Sequence, residues 1–96
     1  MKILFHVATE GGARFLLPLA LACRRAGHAF GVFLTHDGVR GLNDARLQSA
    51  LQDAARAVVC EESWHRFCAG APCPVELGSQ TVNSALVGQA QRIVSL

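Results

Sequence analysis

The sequence predicts a single α/β domain, a three-layer sandwich in which helices cover both faces of a mainly parallel five-stranded sheet. Three observations support this fold class. The chain has 96 residues, enough for one hydrophobic core and too few for two. Apolar residues make up 51% of it, so the core needs neither disulfides nor a metal. Strand-like runs alternate with helix-like segments along the whole length, as they do in parallel sheets joined by crossover helices.

Five short runs predict the strands. The first is almost continuously apolar, which is typical of a central strand covered on both faces. The other runs have strand length and lie between turn signals. Strands are therefore expected at residues 2–7, 29–34, 56–60, 75–77 and 93–96.

The segments between these runs predict the helices. Leu16, Leu19 and Cys23 share one face of the first helix, and Gly27 marks its end. Pro18 is expected near the first turn, where a missing N–H costs little. Helices are expected at residues 14–26, from Asn43 or Asp44 to about 55, 61–68 and 80–89, and a loop at 35–41.

In open parallel sheets, functional sites collect at the carboxyl ends of the strands. This rule selects residues 8–12, 35–41, 60–66 and 77–79. Their polar side chains are the site candidates: Thr9, Glu10, His36, Asp37, Cys60, Glu61, Ser63, His65 and Ser79.

Cys60 is the strongest of these candidates. It ends a central strand just before a helix begins, where unpaired backbone N–H groups favour a thiolate. A thiolate is the form that attacks sulfane sulfur and carries it as a persulfide. Glu61 and Glu62 are expected to raise the thiol pKa unless nearby basic side chains, His36, His65 or Arg66, offset them. The alternative interpretation is a buried strand residue without chemistry.

The other three cysteines have simpler interpretations. Cys68 and Cys73 flank a Gly- and Pro-containing loop and are either accessory thiols that approach Cys60 or small apolar core residues. Cys23 lies on the apolar face of the first helix and is assigned to the core.

Other kinds of site find less support in the spacing of the residues. Cys60, His65, Cys68 and Cys73 supply four zinc-type ligands without a paired knuckle, so no metal is expected. Gly11-Gly12 belongs to no phosphate-binding motif, and no cofactor is expected. Ser63 and Ser79 lack the nucleophile elbow of a hydrolase. The segment His36-Asp37-Gly38 either contributes an imidazole to the site or simply forms a turn.

The composition and charge of the chain indicate which binding partners and which cellular compartment to expect. The net charge is +2 and the basic residues are scattered, so nucleic acid is not an expected partner. No apolar run approaches the length of a membrane helix, and no secretion signal is recognisable. A soluble cytoplasmic protein with reduced thiols is therefore expected.

Four sequence segments, in this order and spacing, resemble the DsrE/DsrF-like family, which includes subunits of bacterial sulfur-relay complexes. They are KILFHVAT, RRAGHAFGVFLTHDGV, VVC and GSQTVNSALVGQAQRIVSL. The resemblance implies a small flavodoxin-like domain that assembles into homo-oligomers or hetero-oligomers. It also implies that a cysteine at the position of Cys60 accepts sulfur from a donor protein and passes it to an acceptor protein.

Two functional hypotheses follow from these observations. In the first, Cys60 is a persulfide carrier assisted by backbone N–H groups and by His36 or His65. In the second, the chain is a non-catalytic oligomeric binding module with an inert Cys60 and a site formed by His36, Asp37 and Trp64. Trp64 and Phe67 are either a partner-binding patch or part of an oligomer interface.

Overall fold

The computed structural model describes residues 1–96 and contains ten helices and strands in strict alternation along most of the chain. A 3₁₀ helix followed by an α-helix connects the second strand to the third. In chain order the elements are β1 (Ile3–Val7), α1 (Glu10–Ala26), β2 (Phe30–Leu34), the 3₁₀ helix (His36–Asn43), α2 (Ala45–Leu51), β3 (Arg56–Cys60), α3 (Glu61–Phe67), β4 (Glu76–Gly78), α4 (Gln80–Gln89) and β5 (Arg92–Ser95).

The five strands form one sheet in the order β4-β3-β2-β1-β5, and every neighbouring pair is parallel. The predicted three-layer α/β domain is therefore confirmed. Within that class, β1 lies between β2 and β5, whereas in flavodoxin the first strand lies between the second and third.

The direction of the crossovers decides which helices share a face. The chain steps in one direction from β1 to β4, so right-handed crossovers put α1, the 3₁₀ helix, α2 and α3 on the same side of the sheet. It then returns past β1 to β5, which puts α4 alone on the other side. The larger core cluster lies under the first group, with Leu16, Leu47 and Trp64 packed on strand residues such as Val32 and Val59.

The second face of the sheet has a smaller core. Its buried cluster consists of Leu4, Phe33, Val58, Cys60 and Leu86, and Leu86 is the only buried residue of α4. Cys60 therefore belongs to the face that a single helix covers.

The ends of α1 show why it forms where it does. The Thr9 hydroxyl accepts a 2.8 Å hydrogen bond from the N–H of Gly12, and Gly27 ends the helix with a left-handed φ of 72°. The helix begins at Glu10, four residues before the predicted start. The prediction missed this first turn because Glu10, Gly11 and Gly12 show no apolar pattern. Pro18 consequently lies in the helix interior rather than near the first turn.

The connection between β2 and β3 also differs from its prediction. Residues 36–43 form a 3₁₀ helix instead of a loop, because Val39 and Leu42 are buried in the larger core. Gly38 allows this close packing, since a Cβ there would lie 2.5 Å from the carbonyl oxygen of Val7. The following helix, α2, ends at Leu51, and Ala55 already donates a hydrogen bond to the β2 carbonyl of Phe30.

Candidate functional site

Cys60 lies at the carboxyl edge of the sheet, between two pockets. It is the last residue of β3 and the N-cap of α3, and 8% of its surface is exposed. The larger pocket, of about 360 Å³, extends from Cys60 to the start of α4. The smaller one, of about 140 Å³, extends toward the start of the 3₁₀ helix. The sulfur is thus nearly enclosed, yet it borders solvent-filled space on two sides.

Hydrogen bonds set the acidity of this thiol. Burial raises the pKa of Cys60, but hydrogen bonds to the sulfur from Ser63, from Thr35 and from the backbone N–H of Glu62 outweigh burial. The net pKa lies below the ordinary thiol value. The expectation that the thiolate is favoured at this position is in agreement with that direction.

Ser63 reaches Cys60 because of helix geometry. It is the third residue of α3, and a short polar side chain at this position points back toward the residue before the helix. Its hydroxyl oxygen accepts a 2.9 Å hydrogen bond from the backbone N–H of His36 and lies 3.4 Å from the hydroxyl oxygen of Thr35. Because the His36 N–H occupies one lone pair of this oxygen, the Ser63 hydroxyl proton remains available for an acceptor such as the Cys60 sulfur.

Thr35 reaches Cys60 from the neighbouring strand. It follows Leu34, the last residue of β2, and Leu34 pairs with Val59, so Thr35 and Cys60 share a row and a face of the sheet. Its side chain is buried. The prediction from sequence omitted Thr35, although its position at the end of a strand is the same signal that selected Cys60.

The predicted residues His36 and Asp37 contribute differently from what was expected. His36 has φ 49° and is the only non-glycine residue with a positive φ. Its backbone N–H binds Ser63, while its exposed imidazole borders the smaller pocket. Asp37 is exposed and borders neither pocket around Cys60.

Two acidic side chains lie at the larger pocket. Glu61 and Glu62 both line it, together with His65, whose Nε2 lies 3.7 Å from a Glu61 carboxylate oxygen. The expected balance between these carboxylates and the basic side chains of His36, His65 and Arg66 does not set the pKa of Cys60: the pKa is lowered, and none of these side chains is among its causes. All of these side chains are exposed, so water weakens their effect on the sulfur.

Gln80 is a site residue that sequence reasoning missed. It is the first residue of α4 and lines both pockets, and the predicted Ser79 and Gly78 line the larger one. Only the tertiary position of α4 over β3 reveals Gln80, because nothing in its local sequence marks it.

The other cysteines are not brought to Cys60. Cys68 and Cys73 border neither of its pockets and pack against the larger core, on the opposite side of the sheet. Burial raises the pKa of both thiols and of Cys23. The structure therefore gives no support to an accessory role for Cys68 or Cys73.

The two aromatic residues after Cys60 differ in burial. Trp64 is buried, and its indole N–H donates a 3.1 Å hydrogen bond to the carbonyl of Ala71, so it forms no exposed patch. Phe67 is half-buried, with the guanidinium groups of Arg40 and Arg66 about 5 Å from its ring centre. The buried Trp64 ring is therefore not available to the site that the second hypothesis assigns to it, whereas Phe67 lines the smaller pocket.

Two further structural tests concern metals and membranes. No three side chains of His, Cys, Asp or Glu converge into a possible metal centre. No helix combines the length and the apolar character that are needed to span a bilayer.

The comparisons with known proteins add no name to this site. The chain matches no protein-family model and has no significant match among curated proteins. The resemblance to DsrE/DsrF-like proteins therefore remains a prediction from the residues themselves.

Proposed function

We propose that this protein is a persulfide carrier in which Cys60 accepts sulfane sulfur and passes it to a partner. The observation that carries the proposal is the position of Cys60 at the carboxyl end of β3, on the wall of the larger pocket, with a thiol pKa that is lowered despite burial. A nucleophilic thiolate at neutral pH is the first requirement for sulfur transfer. The raised pKa values of the other three thiols single out Cys60.

The transfer step is a thiol–disulfide type of exchange. The Cys60 thiolate attacks the outer sulfur of a donor persulfide, and a new S–S bond forms as the donor S–S bond breaks. The electron pair leaves with the donor sulfur, which departs as a thiolate and takes up a proton from water. No external oxidant or reductant is required. Release to an acceptor repeats the exchange in the opposite sense, with Cys60 as the leaving thiolate.

The surroundings of Cys60 suit a stored persulfide. The larger pocket has room for an added sulfur atom and for the reacting end of a donor. The hydroxyls of Ser63 and Thr35 stabilise the Cys60 thiolate both as attacking group and as leaving group. The near burial of the sulfur limits its contact with bulk oxidants.

The second candidate function is binding of a small ligand without sulfur transfer. It is favoured by the volume of the larger pocket, which falls within the range of small-molecule sites, and by the 8% exposure of Cys60. In this case Cys60 lines the pocket without reacting.

Intact-mass spectrometry distinguishes the two functions. Reduced protein is incubated with a persulfide donor, and wild type is compared with Cys60→Ser and, as a matched control, Cys73→Ser. A carrier gains the mass of one sulfur atom in wild type and in Cys73→Ser but not in Cys60→Ser. Absence of the gain in wild type, or a gain that persists in Cys60→Ser, would favour the binding function.

A further inference from the structure

The approach to Cys60 through its larger pocket is acidic. Glu61 and Glu62 line this pocket, and no lysine or arginine does. His65 is the only other titratable side chain besides Cys60 there, and it lies beside Glu61. A reagent that enters by this route therefore meets two negative charges next to the reacting sulfur.

The smaller pocket on the other side of Cys60 is lined by side chains of both charge signs. The smaller pocket is lined by Arg66 as well as Glu62, and by the exposed imidazole of His36. Its volume of about 140 Å³, against about 360 Å³, leaves little room for a donor. The acidic pocket is thus the wider route to Cys60.

The two carboxylates lie in the first turn of α3, where negative charge is favourable to the helix, and other side chains leave most of this charge unneutralised. Neither forms an ion pair with a lysine or arginine, and the sole ionic contact of Glu61 is with His65 at 3.7 Å. Neither carboxylate is among the causes that set the pKa of Cys60. Their negative charges are therefore free to attract or repel charged molecules that approach the Cys60 sulfur.

We infer that Glu61 and Glu62 make Cys60 selective for positively charged sulfur donors, such as a protein segment in which lysine or arginine flanks the persulfide cysteine. The inference rests on the proposed function and names the donor class for the same site. In water, a unit charge a few ångströms away changes the rate at which a charged reagent encounters the sulfur roughly fivefold. This effect fades within a Debye length of about 10 Å at 0.1 M salt. Small anionic donors such as thiosulfate are correspondingly disfavoured.

A pair of thiol reagents of opposite charge tests the selectivity directly. Trimethylammonioethyl and sulfonatoethyl methanethiosulfonate differ in charge and are similar in size. Their labelling rates at Cys60 are measured by peptide mass spectrometry at low salt, and the cation-to-anion ratio is divided by that of a free cysteine derivative. The variants are Glu61→Gln, Glu62→Gln and the double variant, with Asp53→Asn as a control that removes an exposed carboxylate near the opposite edge of the sheet.

The expected corrected ratio is about tenfold or more in wild type and in Asp53→Asn. It falls stepwise toward one in the two single variants and the double variant, and in wild type at about 1 M salt, where the Debye length is about 3 Å. A wild-type ratio near one, a ratio that survives in the double variant, or a Cys60 that neither reagent labels would overturn the inference.

Sulfur uptake separates this inference from the proposed function. The donors are a persulfide peptide flanked by lysines, the same peptide flanked by glutamates, and cysteamine persulfide, which is a small cation. Faster uptake from the lysine peptide than from the glutamate peptide supports the inference, and cysteamine persulfide shows whether charge alone suffices. Equal uptake from all donors contradicts the inference and leaves the carrier function intact. No uptake from any donor, with charge-selective labelling preserved, contradicts the carrier function alone.

Discussion

The hydroxyl oxygen of Ser63 accepts a 2.9 Å hydrogen bond from the backbone N–H of His36, and this contact joins α3 to the first residue of the 3₁₀ helix. It holds Ser63 in place beside Cys60 and satisfies a backbone donor at the only non-glycine position with a positive φ. One hydrogen bond thus links the acidity of the thiol to the path of the chain between β2 and β3.

The pH dependence of alkylation should separate Cys60 from the other thiols. Only the thiolate reacts, so the rate rises with pH and reaches half of its maximum at the pKa. The midpoint for Cys60 is expected below that of an ordinary cysteine, because Ser63 and Thr35 stabilise its anion. Burial puts the midpoints of Cys23, Cys68 and Cys73 above it. Iodoacetamide labelling followed cysteine by cysteine measures all four profiles, and a Cys60 midpoint at or above the others would refute the assignment.

Ser63→Ala should weaken both the site and the fold. The loss of the hydroxyl removes a donor to the sulfur, so the alkylation midpoint of Cys60 moves to higher pH and the rate at neutral pH falls several-fold. The His36 N–H loses its acceptor, which should lower the free energy of unfolding by about 1–3 kcal/mol. Urea unfolding and the pH profile are measured on the same variant. Ser49→Ala, at an exposed position of α2, is the matched control and should change neither quantity.

His36→Gly asks whether the backbone or the imidazole of this residue matters. Glycine adopts a positive φ without strain, and its backbone N–H can still bind Ser63. The stability change is therefore expected within about 1 kcal/mol, since relief of strain offsets the greater freedom of the unfolded chain. The alkylation profile of Cys60 should stay unchanged. An upward shift of its midpoint would show that the imidazole acts on the sulfur after all.

Leu86→Ala tests the cover that α4 gives to the second face. Leu86 is fully buried against Leu4, Phe33 and Val58, so its truncation should cost about 2–5 kcal/mol of unfolding free energy. Val87→Ala is the control, because the neighbouring Val87 is 39% exposed and should cost less than about 1 kcal/mol. Equal effects of the two substitutions in urea unfolding would mean that α4 does not pack through Leu86 onto the second face of the sheet.

Local sequence predicted the elements well where local interactions decide them. β3 ends at Cys60 and α4 spans Gln80–Gln89 as expected, and Gly27 ends α1. The predictions failed where contacts from distant parts of the chain decide. Leu42 is buried in the core, and the segment predicted as a loop forms a 3₁₀ helix. The N–H of Ala55 donates a hydrogen bond to β2, so pairing with the sheet begins where a helix was expected to continue.

Some features of the candidate site were likewise predictable from local sequence, and others depend on distant parts of the chain. Local patterns were enough to predict that Cys60 ends a central strand and precedes the next helix, because strand runs and helix starts are marked by neighbouring residues. The acidity of its thiol, in contrast, depends on the folded arrangement around the sulfur. Glu61 and Glu62 are its neighbours in sequence, but their side chains are exposed and screened by water, while the buried Thr35 arrives from the adjacent strand. Short-range hydrogen bonds inside the fold outweigh adjacent charges in solvent, and the contribution of Thr35 could not be inferred from the residues next to Cys60.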